Sequence, residues 1–258
     1  SLVDRAPRTG HNENGATVTA PQRLAWVAGG AQGICREVAL RLSAHHRVVV
    51  LDVAPWTGTV PSGLRSVDLD VCDTRAVDDF VDGEDEDLPD ILINGVGGDT
   101  RRLGVEQLTE ADAVSAIQFN LLPVVHLTVR CVPSMWKLGW GRIVNFASSA
   151  GMSYSPFSNA AYAAAKAAVI GWSKQAGYEL AGTGVTVNVV APGPISTDRV
   201  VRAWDALSEQ AQDDLRRQLP TGRYGTVDEA ASAVMMLCGE EAGYMIGSVV
   251  NVTGGLYL

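Results

Sequence analysis

Short apolar runs alternate along the chain with segments in which apolar residues recur at helical spacing. The first run, residues 24–28, ends on glycines, and the second, residues 48–51, ends on Asp52. Runs of this kind are typical of strands in a parallel sheet, which is buried on both faces. Further strands are predicted at residues 64–67, 91–94, 142–146, 185–190 and 248–252.

The segments between these strands have the periodicity of amphipathic helices. Helices are predicted at residues 34–42, 74–81, 160–180 and 227–237, with a long helix from Thr109 to about Leu138. Pro123 and Pro133 are expected to disturb the long helix, because proline lacks a backbone donor and crowds the preceding turn. The connection after Asp52 is too short and too rich in proline and glycine for a full helix.

Strands that alternate with helices through the whole chain predict an α/β fold. We expect a Rossmann-type, doubly wound, mainly parallel seven-stranded sheet with helices on both faces, in one domain over residues 22–258. Residues 1–21 are polar and lack periodicity, so we expect a flexible N-terminal arm. Ligands of such sheets bind beyond the carboxyl ends of the strands. The residues predicted to follow strand ends are Gly29, Asp52, Asn94, Ser148 and Pro192.

Composition and charge narrow the possible partners. The net charge of −9 argues against nucleic acid or an anionic membrane surface as the main partner. No apolar run is expected to span a membrane, and the start of the chain has no segment of the signal-peptide type. The four cysteines form no CxxC pair, which predicts reduced thiols in a cytoplasmic protein. Because the sequence has no HExxH motif, we expect no metal site.

Tyr162 and Lys166 lie four residues apart in an alanine-rich stretch that favours a helix. This spacing places a phenol and an ammonium group on the same helical face. The phenol has an ordinary pKa of about 10, and a cation about 4 Å away contributes roughly 4 kcal/mol at an effective dielectric constant near 20. The pKa of Tyr162 would then fall by about three units, to near 7, which suits general acid–base catalysis. The alternative is two surface neighbours without a shared function.

A glycine-containing turn joins the first predicted strand to the first predicted helix. Backbone N–H groups at a helix start bind phosphate, and glycine lets the phosphate approach closely. The turn therefore predicts a diphosphate site formed by Gly29, Gln32, Gly33 and Ile34. A tight turn without a ligand is the alternative.

Asp52 lies at the end of the second predicted strand. A carboxylate in this position accepts hydrogen bonds from both ribose hydroxyls of the adenosine half of a dinucleotide. It also repels a 2′-phosphate, so the cofactor is predicted to be NAD rather than NADP. Alternatively, Asp52 ends the strand by bonding its own loop.

Several motifs follow one another along the chain. They are Gly29-x3-Gly33, Asn94-Gly95-Val96-Gly97, Asn120, Ser148, Tyr162-x3-Lys166 and Pro192-Gly193. In this order they resemble the classical short-chain dehydrogenases/reductases, over about residues 24–255. The resemblance implies that Tyr162 is the general acid/base and that Lys166 lowers its pKa and holds the nicotinamide ribose. It also implies that Ser148 orients the substrate oxygen and that Asn120 holds a water in a proton relay.

The resemblance implies further contacts and exposes some departures. Ser149 is an alternative to Ser148, because it lies thirteen residues before Tyr162, a spacing common in the family. Ala28, Gly95 and Cys35 depart from the family pattern, and we expect a weaker brace between loops and a lower cofactor affinity. Further cofactor contacts are expected from Asp70 and Val71 at the adenine, from Gly95, and from Pro192, Gly193, Ile195 and Thr197 at the nicotinamide. Asn94 and Gly97 match the stretch that lines the adenosine ribose and also braces the central sheet.

The resemblance implies an NAD-dependent oxidoreductase that interconverts a secondary alcohol and a ketone by hydride transfer. A non-catalytic dinucleotide-binding sensor or scaffold is the alternative, and the three departures motivate it. The substrate-pocket candidates Ser149, Tyr154, Phe157 and Trp204 suit a cyclic or aromatic small molecule, with a dihydrodiol as the specific hypothesis. The aromatic residues could equally pack against a lid, which is expected over about residues 197–220.

Two further expectations concern charge and assembly. Four arginines near predicted loops could meet a substrate carboxylate, although arginines in such places are usually solvated. They are Arg101, Arg102, Arg199 and Arg202. By resemblance, the long helix, the Tyr162 helix and residues 247–258 are expected to form contact surfaces of a homotetramer, or of a homodimer.

Overall fold

The computed structural model describes residues 21–83, 88–99 and 101–256. Within these ranges, seven strands form one sheet in the order β3-β2-β1-β4-β5-β6-β7, and every neighbouring pair is parallel. The strands are β1 (Leu24–Ala28), β2 (Arg47–Asp52), β3 (Leu64–Asp68), β4 (Ile91–Asn94), β5 (Gly141–Phe146), β6 (Val185–Pro192) and β7 (Val249–Val252). The predicted doubly wound fold is confirmed. The arm expected over residues 1–21 falls outside the described residues except for its last position, and it stays a prediction.

The helices cover both faces of the sheet. They are α1 (Gly33–Ser43), α2 (Thr74–Gly83), α3 (Glu110–Asn120), α4 (Leu122–Leu138), α5 (Ala160–Leu180), α6 (Asp198–Asp205), α7 (Glu209–Arg217) and α8 (Val227–Cys238). The sequence did not predict the single-turn 3₁₀ helices Val105–Gln107, Ser149–Gly151 and Glu240–Tyr244, because so short a helix leaves no periodic pattern.

The long helix expected after Thr109 is two helices, which meet at Leu121. The break precedes Pro123, because proline is tolerated in the first turn of a helix, and Pro133 lies within α4 without ending it. By length and composition alone, Glu110–Leu138 could cross a membrane, with a mean hydropathy of 1.2, so the expectation that no segment qualifies was wrong. Its buried side chains Leu127 and Met135 belong to the core beneath the sheet.

Alternate residues of each strand supply the two halves of the core. On one face, α1 and α8 pack against the sheet, where Val38 and Val234 join Val27 in one buried cluster. On the other face, α2 and α4 cover Trp26 and Ile143. Burial on both faces explains why central strands such as β1 and β4 are largely apolar runs, whereas the edge strand β3 is partly exposed and contains polar residues.

The site is positioned by the reversal of strand order at β1. β2 and β3 lie on one side of β1 and the later strands on the other, so the loops that follow β1 and β4 diverge and leave a crevice. Two backbone hydrogen bonds tie the strand ends there. Gly29 N–H donates to Leu51 O at 2.8 Å, and Gly95 N–H donates to Ala28 O at 3.0 Å.

Candidate active site

A cavity of about 520 Å³ opens at the carboxyl ends of the strands. It runs from Asp52, at the end of β2, to Tyr162, on α5. The predicted site residues that line it are Gly29, Gln32, Gly33, Ile34, Asp52, Asp70, Val71, Gly95, Ser148, Tyr162, Lys166, Pro192, Gly193, Ile195 and Thr197. The fold therefore brings together residues that lie far apart in the sequence, and it gives the cavity two chemically different ends.

The middle of the cavity is formed by the turn before α1. Gly29 has a φ of +74°, and a Cβ there would lie 3.1 Å from the backbone of Gly95 and Val96, so a larger residue is excluded. Gln32, the residue before α1, gives that helix no side-chain cap. The first-turn N–H groups of α1 consequently lack a side-chain acceptor at the cavity wall, near Gly33.

Other helices of the chain begin with a side-chain cap. Thr109 caps α3, Asn159 caps α5 and Thr226 caps α8, each by accepting a hydrogen bond from a first-turn N–H. The uncapped start of α1, beside a glycine that keeps side chains away, suits a diphosphate. These residues fit a dinucleotide.

Asp52 defines one end of the cavity, which we call the adenosine end and which also contains Asp70. The Asp52 Oδ2 accepts from Ala31 N–H and Oδ1 accepts from Ala54 N–H, both at 2.9 Å. Through Ala54, Asp52 bonds its own loop, as the alternative interpretation held, and through Ala31 it also holds the turn before α1. It still lines the cavity. Arg36 does not line the cavity wall, so it places no positive charge there beside the Asp52 carboxylate. Its guanidinium donates to backbone carbonyls of Ala31 and Thr57 and lies over the Trp56 ring at 3.8 Å.

Two of the departures from the family pattern fit one another. A Cβ placed on Gly95 would overlap the Cys35 Sγ. The thiol therefore occupies the space that a side chain at position 95 would need. A backbone hydrogen bond from Gly95 N–H to Ala28 O joins the ends of β1 and β4. Burial raises the pKa of Cys35 to about 12, so the thiol stays protonated and acts as a small packing group.

Tyr162, Ser148 and Lys166 form the other end, which we call the reaction end. Asn159 accepts from Tyr162 N–H at 3.0 Å and begins the helix that presents the phenol. The Ser148 Oγ accepts from Ala150 N–H at 3.2 Å, which holds its side chain at the strand end. Ser148 lines the cavity together with Tyr162, and its hydroxyl acts to lower the pKa of the Tyr162 phenol. Ser149, the alternative, is buried outside the cavity wall.

The expected acidity of Tyr162 was wrong for this structure. Burial raises the pKa of its phenol above the ordinary value, although the Ser148 hydrogen bond and the charge of Arg199 act in the opposite direction. The Lys166 Nζ lies 5.8 Å from the centre of the Tyr162 ring and donates to Phe146 O at 2.8 Å. The ammonium group of Lys166 is therefore directed to a carbonyl rather than to the phenol. Loss of water around the phenol is the largest influence on the pKa of Tyr162.

Lys166 is only 3% exposed. Loss of water lowers the pKa of its ammonium group to about 8, with Cys35 opposing the shift and Arg199 adding to it. The side chain also lies close to Asn120. A Cβ placed on Gly97 would be 2.6 Å from Asn120 Oδ1 and 2.9 Å from Lys166 Nζ. Glycine at this position lets the two polar groups approach one backbone segment.

The two predicted asparagines do not line the cavity. The Asn120 Oδ1 accepts from Gly98 N–H at 2.8 Å, so the side chain fixes the loop after β4. The Asn94 Nδ2 donates to Asn145 Oδ1 at 2.8 Å within the core, and this side chain braces the sheet instead of contacting a cofactor. The cofactor contact expected from Asn94 is therefore corrected to a structural one.

The expected substrate pocket is also corrected. None of Ser149, Tyr154, Phe157 and Trp204 lines the main cavity of the described chain. Tyr154 is 83% exposed. Phe157 lies beneath the Arg102 guanidinium. Trp204 lines a separate cavity of about 250 Å³, where its ring contacts that of Tyr224 with centroids 5.0 Å apart. The lid segment forms α6 and α7, and Trp204 packs within it, as the alternative interpretation held.

The sequence assigned no role to Asn159 at the reaction end, and it named Arg199 only as one of four arginines that could meet a substrate carboxylate. Asn159 Nδ2 donates to Asp99 Oδ2 at 3.1 Å and to Arg101 O at 2.9 Å, so it links the loop after β4 to the start of the Tyr162 helix. Its position three residues before Tyr162, ahead of an alanine-rich run, is a capping signal that could have revealed it. Arg199, on α6, lines the cavity. The sequence does not show which side chains of α6 meet the cavity, and the folded structure is needed to place Arg199 there.

Known proteins resemble this chain over most of its length. A family model described as enoyl-(acyl carrier protein) reductase matches residues 29–257. The 3-oxoacyl-[acyl-carrier-protein] reductase of Haemophilus influenzae is 33% identical over 249 residues, which cover 92% of this chain and 98% of that protein. The 3-oxoacyl-[acyl-carrier-protein] reductase MabA of Mycobacterium avium is 36% identical over 236 residues, which cover 91% and 89% respectively.

Solved structures show the same architecture. ElxO with NADP bound superposes with a TM-score of 0.83 at 26% identity and covers 92% of this chain and 99% of that one. The 3-oxoacyl-[acyl-carrier protein] reductase of Brucella melitensis has a TM-score of 0.83 at 26% identity, with 93% of each chain covered.

Proposed function

This chain belongs to the classical short-chain dehydrogenase/reductase family, and from that premise we propose that it interconverts a ketone and a secondary alcohol with NAD(H) as its cofactor. One observation carries the proposal. Ser148, Tyr162 and Lys166 line the same cavity as the uncapped start of α1 and the carboxylate of Asp52. A dinucleotide with its diphosphate at the helix start would reach both ends.

Each residue of the reaction end has a separate role in proton transfer. When bound, the nicotinamide supplies the hydride for ketone reduction or accepts it in the reverse direction. Tyr162 gives its proton to the carbonyl oxygen during reduction, and its raised pKa keeps it protonated at neutral pH. Ser148 orients that oxygen through its hydroxyl. Lys166, charged below about pH 8, holds a positive charge 5.8 Å from the centre of the Tyr162 ring, where it offsets part of the negative charge that the phenol acquires.

The preference for NAD is supported by the charges at the adenosine end. Asp52 and Asp70 line it, and the cations on the wall of the described cavity, Lys166 and Arg199, both lie at the reaction end. A 2′-phosphate at Asp52 would meet a carboxylate with no lining cation beside it. ElxO, which was solved with NADP, shows that the shared architecture also accepts the phosphorylated cofactor. Dissociation constants for NADH and NADPH decide between them, and a clear preference for NADPH would contradict the proposal.

The substrate is proposed from the relatives. Those from Haemophilus influenzae and Mycobacterium avium are named as 3-oxoacyl-[acyl-carrier-protein] reductases, so a 3-oxoacyl thioester is the first compound to test. The names of these relatives give no support to a cyclic dihydrodiol, which becomes the second arm of the same panel. A fall in NADH absorbance with a ketone, or a rise in NADH absorbance with an alcohol and NAD, identifies the class of substrate.

A non-catalytic dinucleotide-binding protein is less well supported. The departures at Cys35 and Gly95 had helped to motivate it, but the Cys35 thiol occupies the space that a side chain at position 95 would need, and glycines still line the cavity. Tight NADH binding without turnover on the whole panel would favour this alternative.

We also propose a homotetramer, or a homodimer, as the assembly. Large apolar side chains on α3 and α4 are exposed, among them Phe119, Leu122, Val129 and Trp136. Such a surface suits burial against another copy of the chain. Sedimentation equilibrium that gives a monomer at micromolar concentration would contradict the proposal.

A further inference from the structure

Arg199 is a cation at the reaction end of the cavity. It lies in the first turn of α6 and lines the wall together with Tyr162 and Ser148. Its guanidinium rests against Gly98, where an added Cβ would lie 2.9 Å from Arg199 Nη1. The absence of a side chain at Gly98 therefore gives the guanidinium its place, between the lid and the loop after β4.

Arg199 has no acidic partner among the described residues. Other arginines of this acidic chain are paired: Arg101 with Asp99 and Asp112, and Arg223 with Glu229. The adjacent Asp198 also lines the cavity but forms no ion pair with Arg199 in the described structure. An unpaired guanidinium at the wall of a cavity is a ready donor to an anionic oxygen group, because its planar fork matches a carboxylate or a phosphate.

The position of Arg199 favours a substrate group over the cofactor diphosphate. Thr197 lies over the start of α1, since a Cβ on Gly33 would be 3.3 Å from Thr197 Cγ2. Arg199 lies instead over Gly98, and its charge acts on Tyr162 and Lys166. The guanidinium is thus close to the groups that would act on the carbonyl.

We propose that Arg199 is a specificity determinant that binds a carboxylate or phosphate group of the substrate, next to the carbonyl that Tyr162 protonates. This rests on the proposed ketone reductase activity and narrows its substrates to anionic oxo compounds. A neutral isostere of such a compound would leave the guanidinium without an acceptor and would be a poorer substrate.

The test measures NADH oxidation with matched ketones. The panel pairs 2-, 3-, 4- and 5-oxo carboxylates with their primary amides, which have the same shape without the charge. Dihydroxyacetone phosphate is paired with dihydroxyacetone to separate a phosphate from a carboxylate. The variant is Arg199→Met, and the control is Arg202→Met, which removes the same charge from α6 outside the cavity wall. Binding of each compound to the protein–NADH complex is measured as well.

At least one anionic compound is expected to exceed its neutral partner by about 10- to 100-fold in kcat/KM, mainly through a lower KM. In Arg199→Met this ratio should fall to near one, while Arg202→Met keeps it and the affinity for NADH changes by less than about twofold. Equal turnover of acid and amide by the unmodified protein would overturn the inference and leave the reductase activity intact. Binding that depends on Arg199 without hydride transfer would support the anion site and contradict the proposed activity. If no compound of the panel binds or reacts, the inference about Arg199 fails, and turnover of a 3-oxoacyl thioester then tests the reductase activity separately.

Discussion

The two ends of the cavity have opposite charge and different construction. At the adenosine end, Asp52 is the last residue of β2 and is held by the ladder to β3, and Asp70 lies in the turn just after β3. At the reaction end, Lys166 belongs to α5 and Arg199 to α6, in the segment expected to form a lid. The sheet therefore positions the proposed cofactor end, while the proposed substrate contact comes from a helix outside the sheet. Mutations can test each end separately.

Loss of the Tyr162 hydroxyl should have the largest effect, and only at the reaction end. We expect Tyr162→Phe to lower kcat/KM by about 10²–10⁴-fold, because the proton donor is lost, with little change in NADH affinity. Steady-state rates and NADH binding by fluorescence separate the two effects. Ser148→Ala should follow the same pattern, whereas Ser149→Ala, outside the cavity, should remain active. A Tyr162→Phe variant with near-native turnover would refute the assigned chemistry.

Removal of the Asp52 charge should alter the adenosine end alone. Asp52→Asn is expected to reduce the preference for NADH over NADPH by roughly 10- to 100-fold, or about 1.4–2.8 kcal/mol, because the repulsion of a 2′-phosphate is relieved. The matched control is Asp68→Asn. Asp68 lies opposite Asp52 on β3, outside the cavity wall. An unchanged ratio of dissociation constants in Asp52→Asn would show that another group selects the cofactor.

The Cys35–Gly95 packing lies where the two ends meet. We expect Gly95→Ala to destabilise the protein by about 1–3 kcal/mol, because the new Cβ overlaps the Cys35 Sγ. Adding Cys35→Gly should recover most of that loss, since it vacates the space. Chemical denaturation of the four members of the double-mutant cycle gives the coupling. Purely additive losses would mean that the two departures are unrelated.

The pH profile of ketone reduction reports the charge of the reaction end. Lys166 carries its proton below about pH 8 and loses it above, since burial has lowered its pKa to that value. The kcat/KM, which reflects the free enzyme, should therefore be level below pH 8 and fall about tenfold per pH unit above it. A level profile through pH 9.5 would contradict the role given to the ammonium group.

The smallest effect is expected from the link between the Tyr162 helix and the loop after β4. Asn159→Ala removes the cap and both side-chain donors, and should cost about 1 kcal/mol of stability together with some kcat. Asn159→Ser keeps a capping oxygen but not the amide donors. It should recover the stability while kcat stays low. If kcat recovers fully as well, the link to Asp99 has no part in positioning Tyr162.

The sequence predicted what depends on local pattern and failed where distant segments meet. Strands such as β1 and β4 were predictable because burial on both faces leaves unbroken apolar runs. The predicted fall in the pKa of Tyr162 was wrong because the desolvation of the phenol depends on residues from other elements that cover it. Trp204 was misplaced for a related reason, since the sequence does not say which face of α6 meets the cavity. The complementarity of Cys35 and Gly95 is visible only once a helix and a strand end are packed together.

A crystal structure of the complex with NADH tests the central claim most directly, because it locates both halves of the cofactor at once. The account predicts the adenosine ribose hydrogen-bonded to Asp52, the diphosphate at the start of α1 and the nicotinamide ring in contact with Tyr162. A cofactor bound in the reverse direction, or a nicotinamide ring out of contact with the phenol, would contradict it.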